Sequence, residues 1–372
     1  MAPLQDLGGV LVVQARIDGK GPFNFVLDTG AGTTVVTPEL SAQLHLAANG
    51  SANLGTSGKS AVSAGAVVLP SVVVGEASAS KVAAVIAPLP PDLTYQGRFG
   101  RIAGILGATF LRQFVVTIDY GSGLALFAAP GTFVAPPDAQ RMSASAYQGA
   151  VTVTGSVSGA STSMEIDSGN NGLSIVSAAF AQAHGLTARC KAIPRTHEGL
   201  GGRVRDTVMR VNDLTVGGIA VRDTLVAESS GSNVLSGDGA PGVILGNALL
   251  RQWGWLAVDY GAEIVYLPPE VSIEDGSVPY YTTGLSLVRR ASGELDVDGV
   301  VDGSVAATAG VEAGDRVVSL DGVAAEQLGD ADFAAASKND TVRYVLARGG
   351  AQLEVSLTLF DALPTAGNCV RR

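Results

Sequence analysis

Two stretches match in carrying an aspartate at the end of a strand-like run, followed by a hydroxyl residue and glycine. They are Phe25-Val26-Leu27-Asp28-Thr29-Gly30 and Met164-Glu165-Ile166-Asp167-Ser168-Gly169. Each run would place its carboxylate on a tight, glycine-permitted loop just outside a buried sheet edge. One such aspartate is an ordinary turn cap that hydrogen-bonds its own backbone. Two that converge share a site in which like-charge repulsion disfavours double ionisation, so that one proton belongs to the pair. A water bound to both can be deprotonated by the ionised partner while the protonated partner polarises a peptide carbonyl. Such a site hydrolyses amides without a metal or a covalent intermediate.

Convergence is expected because the match extends well beyond these loops. Ile105-Leu106-Gly107 begins 77 residues after Asp28, and Ile244-Leu245-Gly246 begins 77 residues after Asp167. Leu111-Arg112-Gln113-Phe114 is echoed by Leu250-Arg251-Gln252-Trp253, and Asp119-Tyr120-Gly121 by Asp259-Tyr260-Gly261 after one inserted residue. Gln43 and His45 match Gln182 and His184 at the same offset of 139 residues. Ordered features at one offset mark a duplication. The copies span roughly residues 5–130 and 142–268, and a pseudo-twofold axis between them would bring the two loops together.

Each copy reads as mostly β. Strands are expected at Val10–Ile17 and Phe23–Leu27 around Asp18-Gly19-Lys20-Gly21, and at Val151–Val157 and Thr162–Ile166 around Ser158-Gly159-Ala160-Ser161. Short helices follow at Pro38–Leu44 and Ser177–His184, then strands at Val67–Leu69 and Val72–Val74. Brief helices Ala108–Gln113 and Asn247–Gln252 precede each closing strand, and Ala129–Gln140 connects the copies. An acidic linker, Glu270–Pro279, leads to a separate unit over residues 280–363 and a loose tail, Pro364–Arg372.

Composition agrees with this organisation. The chain has 372 residues, 48 of them glycine, with 47% apolar and 16% charged residues, which suits two or three domains rather than a disordered tail. A net charge of −10 without a basic cluster argues against nucleic acid. Cys190 and Cys369 define no disulfide framework, and three histidines build no metal motif, so no metal or other cofactor is expected. No stretch reads as a membrane span. The first residues lack a basic then apolar leader, so the protein is either cytosolic or exported by a signal outside this sequence.

At these residues the sequence resembles a known family. Val26-Leu27-Asp28-Thr29-Gly30-Ala31 with Ile105-Leu106-Gly107 looks like the retropepsin-type aspartic peptidases, here with both halves in one chain as in pepsin-like enzymes. The resemblance implies two acid-protease β-barrel lobes related by pseudo-twofold symmetry. It makes Asp28 and Asp167 the catalytic dyad, with Thr29, Gly30, Ser168 and Gly169 supporting the loops. The segments Ile105-Leu106-Gly107 and Ile244-Leu245-Gly246 would pack beside those loops. The second loop continues Asn170-Asn171-Gly172, where the family has small or hydroxyl residues. Ala31 lacks the hydroxyl that pepsin-like enzymes place there; one donor fewer predicts an optimum nearer neutral than pepsin's. Hairpin flaps over the cleft are expected at Gly55, Thr56, Ser57 and Gly58 and at Gly199, Leu200, Gly201 and Gly202. His45 and His184 read as structural residues inherited with the duplication.

The C-terminal unit resembles bacterial PDZ domains, an α+β module. It does so through Val301-Asp302-Gly303-Ser304-Val305-Ala306 and Ala309-Gly310-Val311-Glu312-Ala313-Gly314-Asp315-Arg316-Val317. Further strands are expected at Thr341–Arg348 and Gln352–Leu359 around Gly349-Gly350. Such a module takes a peptide by strand addition, and main-chain donors at Gly284, Leu285, Ser286 and Leu287 would receive its terminal carboxylate. The resemblances together imply an aspartic endopeptidase acting on polypeptides, monomeric in its catalytic unit, with a PDZ groove for a peptide or protein C-terminus. By analogy with PDZ-bearing proteases it would be periplasmic or secreted. The alternative is a peptide-binding adaptor on the same scaffold that no longer cleaves.

Overall fold

The computed structural model describes residues 1–372 except 56–59, 187–191, 230, 232–234, 275–279 and 364–372. Cys190, Cys369 and the Pro364–Arg372 tail therefore lie outside the described residues, as do Thr56, Ser57 and Gly58.

Each copy starts with a hairpin whose turn is shorter than expected. Val10–Ile17 and Lys20–Leu27 are joined by Asp18 and Gly19 alone, at φ 50° and 72°. Ala150–Val157 and Ala160–Ile166 are joined by Ser158 and Gly159, at 49° and 81°. Two successive residues at positive φ match the right-handed twist of the flanking strands, so Lys20 and Ala160 already belong to the ladder. The motif strand Lys20–Leu27 lies parallel to Ile102–Leu106, and Ala160–Ile166 lies parallel to Val243–Leu245. Each Ile-Leu-Gly segment is thereby set beside its own aspartate loop.

Among the described residues the first lobe is an eight-stranded sheet and the second a nine-stranded one, and in both an early strand pairs again with a late one. Val62–Val74 is one strand, not two short ones, despite Pro70 at its middle. The ladder skips from Leu69↔Val82 to Ser71↔Ser80, passing Lys81 at φ 54°, so the missing Pro70 N–H falls at an interruption. Helices Pro38–Leu44 and Ala178–His184 are capped by Thr37 and Ser177, whose hydroxyls accept from Leu40 N–H and Phe180 N–H at 3.2 Å. His45 closes the first helix in the left-handed region, and His184 packs against Phe180 with ring centroids 4.5 Å apart and the rings tilted by 48°.

A third sheet fixes the lobes against each other. Val115–Asp119 of the first copy pairs antiparallel with Trp255–Asp259 of the second, with Thr117 opposite Ala257 at the centre. Leu27, Leu106, Val116, Ile166, Leu245 and Leu256 belong to one apolar core shared by both lobes. Burial of one continuous core leaves little freedom for the lobes to turn about their common axis.

The expected linker is partly structured: Val271–Glu274 adds a parallel strand to Ile219–Ser229 of the second lobe. Beyond it, Leu285–Arg289, Leu295–Val300, Arg316–Leu320, Thr341–Arg348 and Ala351–Thr358 form a sheet with its own core around Leu295, Leu320 and Leu346. This domain is tied back to the second lobe by buried Arg210, whose Nε donates to Leu363 O at 2.7 Å. Among the described residues no helix is long and apolar enough to cross a membrane.

Candidate active site

Both aspartates sit where their strands end, each N–H donating to the carbonyl of the adjacent Ile-Leu-Gly segment. Asp28 N–H reaches Leu106 O and Asp167 N–H reaches Leu245 O, both at 3.1 Å. Asp28 Oδ1 accepts from Gly30 N–H at 2.9 Å and Ala31 N–H at 2.8 Å. Asp167 Oδ1 accepts from Gly169 N–H at 2.8 Å and Asn170 N–H at 3.1 Å. The unusual Asn170 thus supplies the same backbone donor as Ala31. Its side chain closes the loop by donating to Leu173 O and accepting from Gly172 N–H, both at 3.0 Å.

Thr29 and Ser168 lock the loops reciprocally. Thr29 N–H donates to Ser168 Oγ and Ser168 N–H to Thr29 Oγ1, both at 3.0 Å. Each hydroxyl then donates to the opposite strand, Thr29 Oγ1 to Ile166 O at 2.6 Å and Ser168 Oγ to Leu27 O at 2.8 Å. Both N–H groups and both hydroxyls of this buried pair are used, so the loops have one register. The glycines allow the close approach. A methyl on Gly169 would run into the Asp28 carboxyl, and one on Gly30 would stand 2.6 Å from an Asp167 oxygen. The Asp28 and Asp167 carboxyls lie close enough for each to act on the other's ionisation.

Burial dominates the electrostatics. It raises Asp28 above the usual carboxylate range, opposed by hydrogen bonds from Ala31, Asp167 and Gly30. Asp167 is raised well above its ordinary value by burial, then by the charges of Asp28 and Glu165. Glu165 is pushed up to about 8 by burial and then by Asp28. The titration belongs to the group as a whole rather than to any one carboxyl. Tyr120 and Tyr260 are raised by burial and stay neutral.

Sequence reasoning passed over two residues here. Glu165 stands where the first copy has Val26, a contrast visible once the copies are aligned. Asn247, opposite Ala108 in the repeat, is fully buried and joins three parts of the site. Its Nδ2 donates to Gly9 O at 2.8 Å and Ser168 O at 2.7 Å, and its Oδ1 accepts from Tyr120 Oη at 2.7 Å. In the other copy Ala108 offers nothing of the kind, and Tyr260 Oη is buried without a hydrogen-bond partner among the described residues. Asn247→Ala would strand three polar groups and should cost about 3 kcal/mol or more. Urea denaturation checks this; an unchanged midpoint would remove Asn247 from the site's framework.

The segment expected to be the second-lobe flap forms the tip of the hairpin Ala192–Gly199 and Gly202–Val216, with Gly201 and Gly202 at φ 94° and 109° and Leu200 between them and Gly199. Gly55 follows the strand Gly50–Leu54 of the first lobe, and Ser60 N–H donates to Gly201 O at 3.2 Å, so the two hairpins meet. In the C-terminal domain, the groove between Leu285–Arg289 and the helix Asp330–Ala336 is a cavity of about 460 Å³. Leu287 and Phe333 line it together with Asn171, Thr196 and Arg203 of the second lobe. Asn171 Nδ2 donates to Asp330 Oδ2 at 3.5 Å and Gln96 Nε2 to the same oxygen at 3.1 Å, binding this domain to both lobes. Of the expected carboxylate donors, Gly284 N–H is already taken by Thr282 Oγ1 at 2.9 Å, while Leu285, Ser286 and Leu287 lie on the edge strand.

Comparison with known proteins bears on this arrangement. A family model described as aspartyl protease matches residues 13–110 and 129–249, more than half of the chain. A PDZ domain model matches residues 297–348. No curated protein matches the chain. Among solved structures, a photosystem II D1 C-terminal processing protease aligns at 24% identity over 23% of this chain and 24% of its own, with a TM-score of 0.20. The chain thus spans about a quarter of that protein's length. A retropepsin-like aspartic protease from Rickettsia conorii aligns at 19% identity over 34% of this chain and 97% of its own, with a TM-score of 0.25. Basic 7S globulin from soybean aligns at 12% identity over 74% and 98%, with a TM-score of 0.38.

Proposed function

The chain belongs to the aspartyl protease family, and we propose that it is an active endopeptidase whose dyad is Asp28 and Asp167. The observation that carries this reading is the reciprocal Thr29–Ser168 pair, which sets each aspartate against the glycine of the opposite loop. In the resting pair Asp167 keeps the proton and Asp28 the charge. Asp28 takes a proton from water as that water attacks the peptide carbonyl, and Asp167 gives its own to the carbonyl oxygen. Asp167 then recovers a proton from the tetrahedral adduct while Asp28 passes its proton to the leaving amine. Both carboxyls end as they began.

The Leu285–Arg289 edge would hold an extended peptide, and its groove shares walls with the flap hairpin through Thr196 and Arg203. One chain supplies both loops, which supports a monomeric catalytic unit; by resemblance to PDZ-bearing proteases we place it in the periplasm or outside the cell. Incubation with an unstructured polypeptide tests the proposal. Fragments with new internal termini are expected; an intact substrate held in a stable complex would instead identify an adaptor.

A further inference from the structure

The motif strands differ in chemistry just before the aspartate: Val26-Leu27-Asp28 in one copy, Glu165-Ile166-Asp167 in the other. Residues two apart on a strand share a face, so Glu165 points the same way as Asp167. Glu165 is only 4% exposed. A methyl on Gly30 would stand 2.6 Å from an Asp167 oxygen and 2.8 Å from a Glu165 oxygen, so both carboxyls flank one point of the opposing loop. Three acids are therefore collected at the lobe junction.

Among the described residues, nothing acting on Glu165 carries a compensating charge. Across the antiparallel ladder stands Thr152, whose hydroxyl donates to Ser145 O, and across the parallel one stands Ile244. The opposing loop presents Asp28 and Gly30, and Glu165's own strand leads to Asp167. Tyr120 and Tyr260, close enough to feel Asp167 and Asp28 respectively, are neutral. Burial and Asp28 oppose its ionisation. Among the described residues these acids do not form a metal-binding group. A buried acid that valine could replace, as the first copy demonstrates, is costly to keep.

We propose that Glu165 is a positioning residue for the dyad's proton: a third acid that keeps the Asp28–Asp167 pair singly protonated to higher pH than two carboxyls alone could. This rests on the endopeptidase reading. In the neutral range one of the three acids is ionised and two keep their protons. As pH rises, Glu165 releases its proton to solvent, and the carboxylate left beside Asp167 opposes loss of the proton the dyad needs.

The test is the pH profile of kcat/KM on a quenched peptide for wild type, Glu165→Gln and Glu165→Val, the last restoring the residue of the first copy. The alkaline limb should move to lower pH by about one unit, a tenfold loss at fixed pH on that limb, with the acid limb unmoved. An alkaline limb that stays in place or moves upward overturns the proposal. Carbon-13 carboxyl NMR provides a second readout without activity. In wild type one glutamate should titrate far above the rest, and in Glu165→Gln the higher-titrating buried aspartate should move down. Both NMR results without any cleavage would leave Glu165 coupled to the pair but sink the endopeptidase reading. Cleavage without either result would sink the Glu165 proposal alone. Should neither variant fold, the wild-type glutamate titration decides.

Discussion

Asp28→Asn and Asp167→Asn should each lower peptide cleavage about a thousandfold or more, since each removes one half of a general acid–base pair. Neither should unfold the protein. An asparagine Oδ1 can accept the same two backbone N–H groups that hold each aspartate oxygen. Stability at neutral pH should rise instead. Burial lifts these carboxyls above their unfolded values, so the folded state binds protons more tightly than the unfolded chain. Their stabilising contribution is complete below the unfolded value and is lost as pH climbs through the folded one. Inside that window each such group forfeits about 1.4 kcal/mol per pH unit. For Glu165 the window runs from 4.5 to about 8. Wild type should therefore weaken between pH 5 and pH 8 in urea titrations, and Asp167→Asn should weaken less. A wild type equally stable at both ends would show that these acids are not buried as described.

Gly169→Ala and Gly30→Ala should be comparably severe for a different reason. Neither glycine requires a left-handed backbone, so the penalty is collision: the new methyl meets the carboxyl of the opposite lobe. Relief demands that the loops separate, breaking the Thr29–Ser168 exchange. A stability loss of about 1–3 kcal/mol is expected, with cleavage falling towards the level of the asparagine variants. Gly172→Ala is the control within the same loop, since its nearest neighbour, Asn170 Oδ1, would be 3.8 Å away. Full cleavage by Gly30→Ala would mean that the lobes do not pack this closely in the working enzyme.

What the sequence revealed and what it hid have separable causes. The dyad loops were legible because the duplication repeats Asp, hydroxyl and glycine with the Ile-Leu-Gly partner at constant spacing. Pro38–Leu44 and Thr341–Arg348 were legible from local sequence, and the helix and the strand have those bounds. Val62–Val74 was hidden because proline normally ends a strand, and only the left-handed residue opposite Pro70 makes it tolerable. The strand Val271–Glu274 reads as linker because four alternating residues beside acidic neighbours are too short a run to mark a strand, while its stability comes from an edge supplied by Ile219–Ser229. Asn247 was hidden for another reason. Its partners, Gly9, Ser168 and Tyr120, are remote in sequence, and its repeat counterpart is alanine. The contact of Asn171 with Asp330 spans 159 positions and follows from surface fit rather than any local pattern.

If Asp28 and Asp167 work as one proton-sharing unit, their removal cannot be additive. Cleavage rates of wild type, each asparagine variant and the double variant close the cycle. The double variant should be no slower than either single one, all three remaining folded by near-ultraviolet circular dichroism. A single variant that cleaves like wild type, or a double variant slower by the product of both losses, would contradict the shared dyad.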